Sequence, residues 1–101
     1  MAYHGEALDV TIAAASGGDP ALFLELRAAF LESATRQLDL LRRSRCDGNW
    51  RIAAMRLKGL AASFHAATLL ALAEEAIAAA PGEPTVLRRM EAHLAQLAPA
   101  P

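Results

Sequence analysis

The residues of this chain that could carry out chemistry are few and lie far apart in the sequence. Its three histidines, His4, His65 and His93, have no partner at the spacing of metal ligands. A glycine-rich phosphate loop and a His-Glu-x-x-His zinc motif are both absent, and the adjacent Glu74 and Glu75 are typical of a solvent-facing helix surface. We therefore expect neither a metal nor another cofactor, and a surface that binds a partner becomes the main candidate for function.

The most unusual local pattern is the pair Lys58-Gly59, which lies inside the amphipathic stretch from Ala54 to Phe64. Lys58 is the only lysine in the chain, beside nine arginines. A glycine in a helix interior destabilises the helix by roughly 1 kcal/mol relative to alanine, so its presence there needs a reason. At about 100° per residue, the stripe beside the apolar seam of this helix comprises Arg51, Met55, Lys58, Gly59 and Ala62. Either this stripe contacts a partner, or Gly59 lets a neighbouring helix approach within the fold.

Charge is distributed unevenly along the sequence, although the net charge is only -1. The segment from Arg36 to Lys58 holds seven basic and two acidic residues, whereas the rest of the chain holds three basic and nine acidic ones. Such a basic segment attracts acidic partners and accelerates their association. A solvated helical corner whose arginines balance acids elsewhere explains the same pattern, and composition leaves both interpretations open. The single tryptophan and the lack of an aromatic ladder give little support for single-stranded nucleic acid, so we expect no nucleic-acid partner.

Helices must position these residues, because β-branched residues are scarce and alanine and leucine dominate a composition that is 54% hydrophobic. Asp19-Pro20 is typical of a helix start, Pro81 to Pro84 is a break, and Thr85 can cap the helix that follows. The predicted helices are Glu6 to Ala15, Pro20 to about Arg45, about Asn49 to Phe64, about Ala67 to Ala80, and Val86 to about Ala98.

Four long helices joined by short turns favour an all-α fold, namely an up-down-up-down antiparallel four-helix bundle with a short extra N-terminal helix against it. A chain of 101 residues suits a single domain over 1–101, with its ends at 1–5 and 99–101 prone to disorder. We see neither a membrane-spanning stretch nor a signal peptide. The single cysteine, Cys46, excludes an internal disulfide and fits a reducing compartment. We therefore expect a cytoplasmic monomer that does not contact the membrane.

The stretch from Ala54 to Phe64 resembles the active-site helix of histidine-containing phosphotransfer (HPt) domains. These domains are four-helix bundles that relay phosphoryl groups between the receiver domains of response regulators. The family motif is His-x-Leu-Lys-Gly, usually preceded by alanine and followed by small residues, an apolar residue and a glycine. The positions that fit are Ala54, Leu57, Lys58, Gly59, Ala61, Ala62, Ser63 and Phe64, followed by Leu69 and Leu72 in the next helix. Upstream, Phe23 to Leu41 is similar to the second helix of the family.

The chain departs from the family pattern at its most important position. The phosphoacceptor histidine falls at Met55, and the later glycine falls at His65. A thioether has no nucleophilic nitrogen, so histidine phosphorylation at Met55 is excluded. The resemblance therefore implies a degenerate module of bacterial two-component signalling that docks receiver domains, with a hybrid histidine kinase as a second candidate partner. The binding residues that it implies are Arg51, Met55, Arg56, Lys58, Gly59 and Ala62, with no catalytic residue among them.

Two alternatives stay open at this level. The chain could transfer phosphoryl groups through a displaced acceptor, His65, or Met55 could replace the acceptor histidine of an otherwise active protein. His65 lies about 15 Å along the helix and roughly 80° around it from Met55, so the two positions do not share one point on the surface. We expect His65 at the helix end, where it can satisfy a free carbonyl. The other alternative is a helical interaction module with an unrelated partner.

Overall fold

The computed structural model describes residues 7–99, which form five helices and no strand. The helices are α1 (Ala7–Ser16), α2 (Pro20–Arg42), α3 (Asp47–Ser63), α4 (Ala67–Ala78) and α5 (Pro84–Leu97). The all-α class is confirmed. The predicted start of the first helix, Glu6, lies outside the described residues, and the other predicted helix ends differ from the observed ones by at most three residues. None of these helices is long and apolar enough to cross a membrane. The ends predicted to be disordered lie outside the described residues, Pro99 excepted, and so does His4.

Capping side chains determine where two of the helices begin. The Asp19 carboxylate accepts hydrogen bonds from two backbone N–H groups of α2, at 3.0 and 3.2 Å, and Pro20 is the first helical residue, as the sequence predicts. The prediction that Thr85 caps α5 is wrong. The Glu83 carboxylate is the cap and accepts from the Thr85 N–H at 2.9 Å, because the helix already begins at Pro84.

The turn between α3 and α4 is built around a histidine with a left-handed backbone. Among the described residues other than glycine, His65 alone has a positive φ, at 56°. Its N–H donates to the carbonyl of Ala62 at 3.3 Å, and the N–H of Ala66 donates to the carbonyl of Ala61 at 2.8 Å. These two bonds form a Schellman motif, in which the left-handed position is usually glycine. The Cβ of His65 therefore strains the backbone at the position where the HPt pattern has glycine.

The helices enclose one apolar core. Helix α2 packs on α3 and α5, helix α4 packs on the same two helices, and α1 packs on α2. The apolar seam predicted for α3 is confirmed, since Trp50, Ala54, Leu57 and Ala61 are buried and Phe64 is partly buried at the helix end. The other large buried side chains are Leu8, Ile12, Phe30, Leu38, Leu41, Leu69, Leu72, Val86, Met90, Leu94 and Leu97. Burial of this seam leaves the opposite face of α3 outside the core.

Two buried polar interactions join helices that are distant in sequence. The indole Nε1 of Trp50 donates to the carbonyl of Ala76 at 2.7 Å, which ties α3 to α4. Asp9 of α1 is only 5% exposed and accepts from the Arg27 guanidinium at 3.1 Å. The same guanidinium donates to the carbonyl of Leu97. Arg27 therefore connects α1, α2 and the end of α5, and a buried Asp9 carboxylate without this partner would be strongly unfavourable.

Candidate functional site

The outer surface of α3 brings together the residues that the sequence singled out for binding. We define the α3 face as Arg51, Ile52, Met55, Arg56, Lys58, Gly59 and Ala62, which lie outside the buried seam. All are exposed except Lys58, whose side chain is 45% exposed. All six residues that the HPt resemblance implies for binding belong to this face. Their role in binding stays a prediction, but they share one accessible surface.

Gly59 lies in the middle of the α3 face and points to solvent. A Cβ built at this position would meet no atom within 4 Å outside the local helix backbone, and the residue is not in the left-handed region. The interpretation that Gly59 lets a neighbouring helix approach within the fold is therefore wrong, because no other helix lies against it. Neither packing nor backbone conformation requires a glycine here. The absence of a side chain does leave the helix backbone open to close approach by a second molecule.

Exposed apolar side chains lie beside Gly59. Ile52 is 52% exposed and Met55 is 48% exposed, one turn apart on the same helix. Ile52 was missed in the sequence, although an isoleucine off the apolar seam of an amphipathic helix is the signal that could have identified it. The apolar surface continues into a shallow groove against the end of α2, lined by Leu40, Arg43, Ser44, Asn49, Ile52, Ala53 and Arg56. An apolar centre of this kind with charged edges is typical of a protein-binding surface.

Ion pairs neutralise much of the basic segment between Arg36 and Lys58. Those within 4.0 Å join Arg36 to Glu32, Arg42 to Asp39 and Glu91, Arg43 to Asp39, and Lys58 to Glu74. In the described part of the chain, no carboxylate lies within that distance of Arg45, Arg51 or Arg56. Two of these three arginines belong to the α3 face. Within the segment from Arg36 to Lys58, the uncompensated positive charge therefore lies at this face and at the turn before α3.

The two histidines that the structure describes, His65 and His93, lie in different surroundings. His65 is exposed at the turn after α3, and its Nδ1 lies 3.1 Å from the hydroxyl of Thr11. Its side chain therefore meets a hydroxyl group, whereas its backbone N–H supplies the bond to a free carbonyl that we expected at the helix end. His93 is buried in α5, where it packs against the core. Within residues 7–99, no group of three or more His, Cys, Asp or Glu side chains is placed to hold a metal ion.

The side chains of the α3 face are of types suited to contact with a partner. By composition the face carries guanidinium groups, one ammonium, aliphatic carbons and the thioether of Met55, but no imidazole. A thioether sulfur offers no proton and no nitrogen lone pair to a phosphoryl group. His65, the nearest imidazole in sequence, lies beyond the end of α3. The α3 face therefore provides contact area and positive charge.

Comparisons with known proteins add no relative: no family model, no curated protein and no solved structure matches this chain. Membership of the HPt family therefore stays a proposal. What supports it is the set of motif residues on α3, three of which (Lys58, Gly59 and Ala62) lie on the accessible α3 face.

Proposed function

We propose that this chain is an HPt-like module without a phosphoacceptor, which docks the receiver domain of a response regulator through the α3 face. The observation that carries this proposal is Gly59. It is a mid-helix glycine that the fold does not require, since a Cβ there would meet nothing within 4 Å. It lies between the exposed Met55, at the acceptor position, and a cationic border. Helix backbone that no side chain covers, next to an exposed apolar side chain, fits close docking of a second protein.

We also propose that the helices form an up-down-up-down antiparallel four-helix bundle. The packing pairs α2–α3, α3–α4, α4–α5 and α5–α2 close a ring, as expected for such a bundle. The contact of Trp50, in the first turn of α3, with Ala76, near the end of α4, fits antiparallel neighbours. In this arrangement α1 is an additional helix against α2.

Electrostatics favours an acidic partner for the α3 face. Receiver domains carry a cluster of acidic side chains around their phosphorylation site, and Arg51, Arg56 and Lys58 would border that cluster in a docked complex. Complementary charge of this kind accelerates association and determines orientation more than it raises affinity. The apolar contacts of Ile52 and Met55 would supply the desolvated centre that affinity requires.

The loss of the acceptor determines what docking achieves. A receiver bound at Met55 faces a thioether and keeps its phosphoryl group. The module is therefore a binding protein rather than an enzyme, and it acts by occupying the receiver surface as a competitor of active HPt domains or as an adaptor. A receiver-carrying hybrid histidine kinase is a partner of the same chemistry. We place this function in the cytoplasm, where receivers act.

The test is a titration of the full chain against the receiver domains of its source genome. We expect at least one receiver to bind, and Gly59→Gln to weaken that binding by about tenfold or more, because its side chain would fill the space over the helix. Lys58→Ala should weaken it by about threefold, the size expected for an exposed charge. The matched control is Ala29→Gln, which adds the same side chain to an exposed position of α2 outside the α3 face.

Two results would overturn the proposal. One is a complete panel of receivers in which none binds. The other is the appearance of acid-labile label on this chain after incubation with a phosphorylated receiver, since that would show phosphotransfer. Loss of such label in His65→Ala would then identify the displaced acceptor. Equal binding by the Gly59→Gln and Ala29→Gln variants would place docking on another surface.

A further inference from the structure

A negative charge from the neighbouring helix α4 lies at the border of the α3 face. Glu74 of α4 lies with its carboxylate 3.7 Å from the Lys58 ammonium, and both side chains are substantially exposed, at 56% and 45%. At this distance the two groups form an ion pair without a hydrogen bond. Exposed ion pairs of this type add little to the stability of the fold. Among residues 7–99, Glu74 is the one carboxylate within 4.0 Å of Lys58. The pair therefore has little to do with holding α3 to α4.

The neighbouring glutamate provides a contrast. Glu75 pairs with Arg89 of α5 through a hydrogen-bonded contact. Consecutive residues on one helix thus have different surroundings. Glu75 ties α4 to α5, whereas Glu74 faces the cationic border of the α3 face. Only Glu74 would meet a partner that docks there.

We propose that Glu74 is a specificity-determining residue that competes with the partner for Lys58. An acidic partner must displace the Glu74 carboxylate from the ammonium or accept its repulsion, so the residue lowers affinity for weakly acidic surfaces. A partner that brings a carboxylate of its own to Lys58 replaces the internal contact. Its affinity is therefore lowered less than that of a weakly acidic partner. Such a repulsive element is a common source of discrimination between similar partners. This inference rests on the proposed function, because it assumes docking on the α3 face.

Substitution of Glu74 by glutamine tests the inference, because it removes the negative charge and nearly keeps the shape of the side chain. In Glu74→Gln, we expect the affinity for a bound receiver to rise by about three- to tenfold at low salt, the range that one exposed charge pair and its repulsion provide. The gain should shrink above physiological ionic strength, where exposed charges are screened. The matched control is Glu75→Gln, which removes the same charge from the next residue and should leave the affinity within about twofold. An equal gain in affinity in the two variants would mean that only the net charge of the protein matters, and it would overturn the proposal.

A second measurement is made on the protein alone. Lys58 is the only lysine in the chain, so reaction at its amine can be assigned to one side chain. Acylation of its amine by a small water-soluble reagent can be followed by mass spectrometry of the peptide that contains it. The competition model expects faster acylation in Glu74→Gln and an unchanged rate in Glu75→Gln. Unchanged acylation together with unchanged affinity would overturn the role of Glu74 even if receivers bind. Faster acylation in a protein that binds no receiver would show that the contact exists and that the proposed function, rather than the contact, has failed.

Discussion

Substitution of Gly59 by alanine tests whether this position of α3 is helical and open to solvent, through its effect on the stability of the protein. The position is inside a 17-residue helix, four residues before its last residue, so the full difference in helix propensity applies. Alanine is about 1 kcal/mol more favourable than glycine in a helix interior. The new methyl group would meet no atom within 4 Å, so neither a clash nor added burial changes this figure. Gly59→Ala should therefore stabilise the protein by about 1 kcal/mol.

This gain is large enough to measure by thermal or urea unfolding followed by circular dichroism. For a domain of this size, about 1 kcal/mol raises Tm by roughly 4 to 8 °C. Gly18→Ala is an opposite-sign control, since Gly18 also has open space around it but has φ of 84°. A Cβ in the left-handed region costs about 1 kcal/mol, so this variant should lose stability. The two glycines differ in backbone conformation and not in crowding.

An unchanged or lowered Tm in Gly59→Ala would contradict the open helical position of Gly59. It would mean that α3 is distorted or covered there. The same series separates stability from docking. Gly59→Gln should also stabilise the fold, by roughly 0.5 kcal/mol, because glutamine is a better helix former than glycine. A variant that is more stable and yet binds its receiver more weakly cannot have lost binding through unfolding.

Three further sets of substitutions test the turn, the Asp9–Arg27 ion pair and the acceptor position. His65→Gly should stabilise the protein by about 1 kcal/mol in urea unfolding, because glycine adopts the left-handed conformation without strain, whereas His65→Ala should not. Asp9→Ala and Arg27→Ala should each destabilise it by about 3 kcal/mol, with the double variant losing much less than the sum, as measured by a double-mutant cycle. Met55→His should accept an acid-labile phosphoryl group from a docked phosphoreceiver, while Ile52→His, equally exposed one turn earlier, should not.

Each of these predictions has a result that contradicts it. Equal stabilities of the glycine and alanine variants at His65 would mean that the left-handed turn is not formed. Additive losses at Asp9 and Arg27 would show that the two side chains do not interact. Labelling of both histidine variants, or of neither, would show that the receiver does not dock with its phosphorylation site over Met55.

Some features of the fold could be read from the sequence because they depend on local patterns. The apolar seam of α3 is one, since residues buried on one side of a helix recur at helical spacing. The start of α2 is another, because Asp19 and Pro20 act within a single turn. The start of α5 was misplaced for the same local reason: Thr85 and Glu83 can both cap a helix, and only the course of the chain shows which one does.

The candidate site was only partly predictable. A glycine on a helix has the same sequence pattern whether it faces a neighbouring helix or solvent, so Gly59 could not be placed until the packing was known. The partners of Lys58 and Arg27 come from other helices, and a charge count over a sequence segment cannot pair them. The exposed Ile52 lies outside the recurring apolar pattern that predicts the seam, so that pattern does not identify it.

The buried indole of Trp50 gives this protein a convenient optical property. The chain has one tryptophan, and it is 2% exposed, with its nitrogen bonded to a carbonyl of α4. Its fluorescence should be blue-shifted in the native state and shift to the red when α3 separates from α4. A receiver bound to the outer side of α3 would not touch the ring. Emission from Trp50 should therefore report unfolding and not docking, so a red shift during a binding titration would indicate loss of the fold.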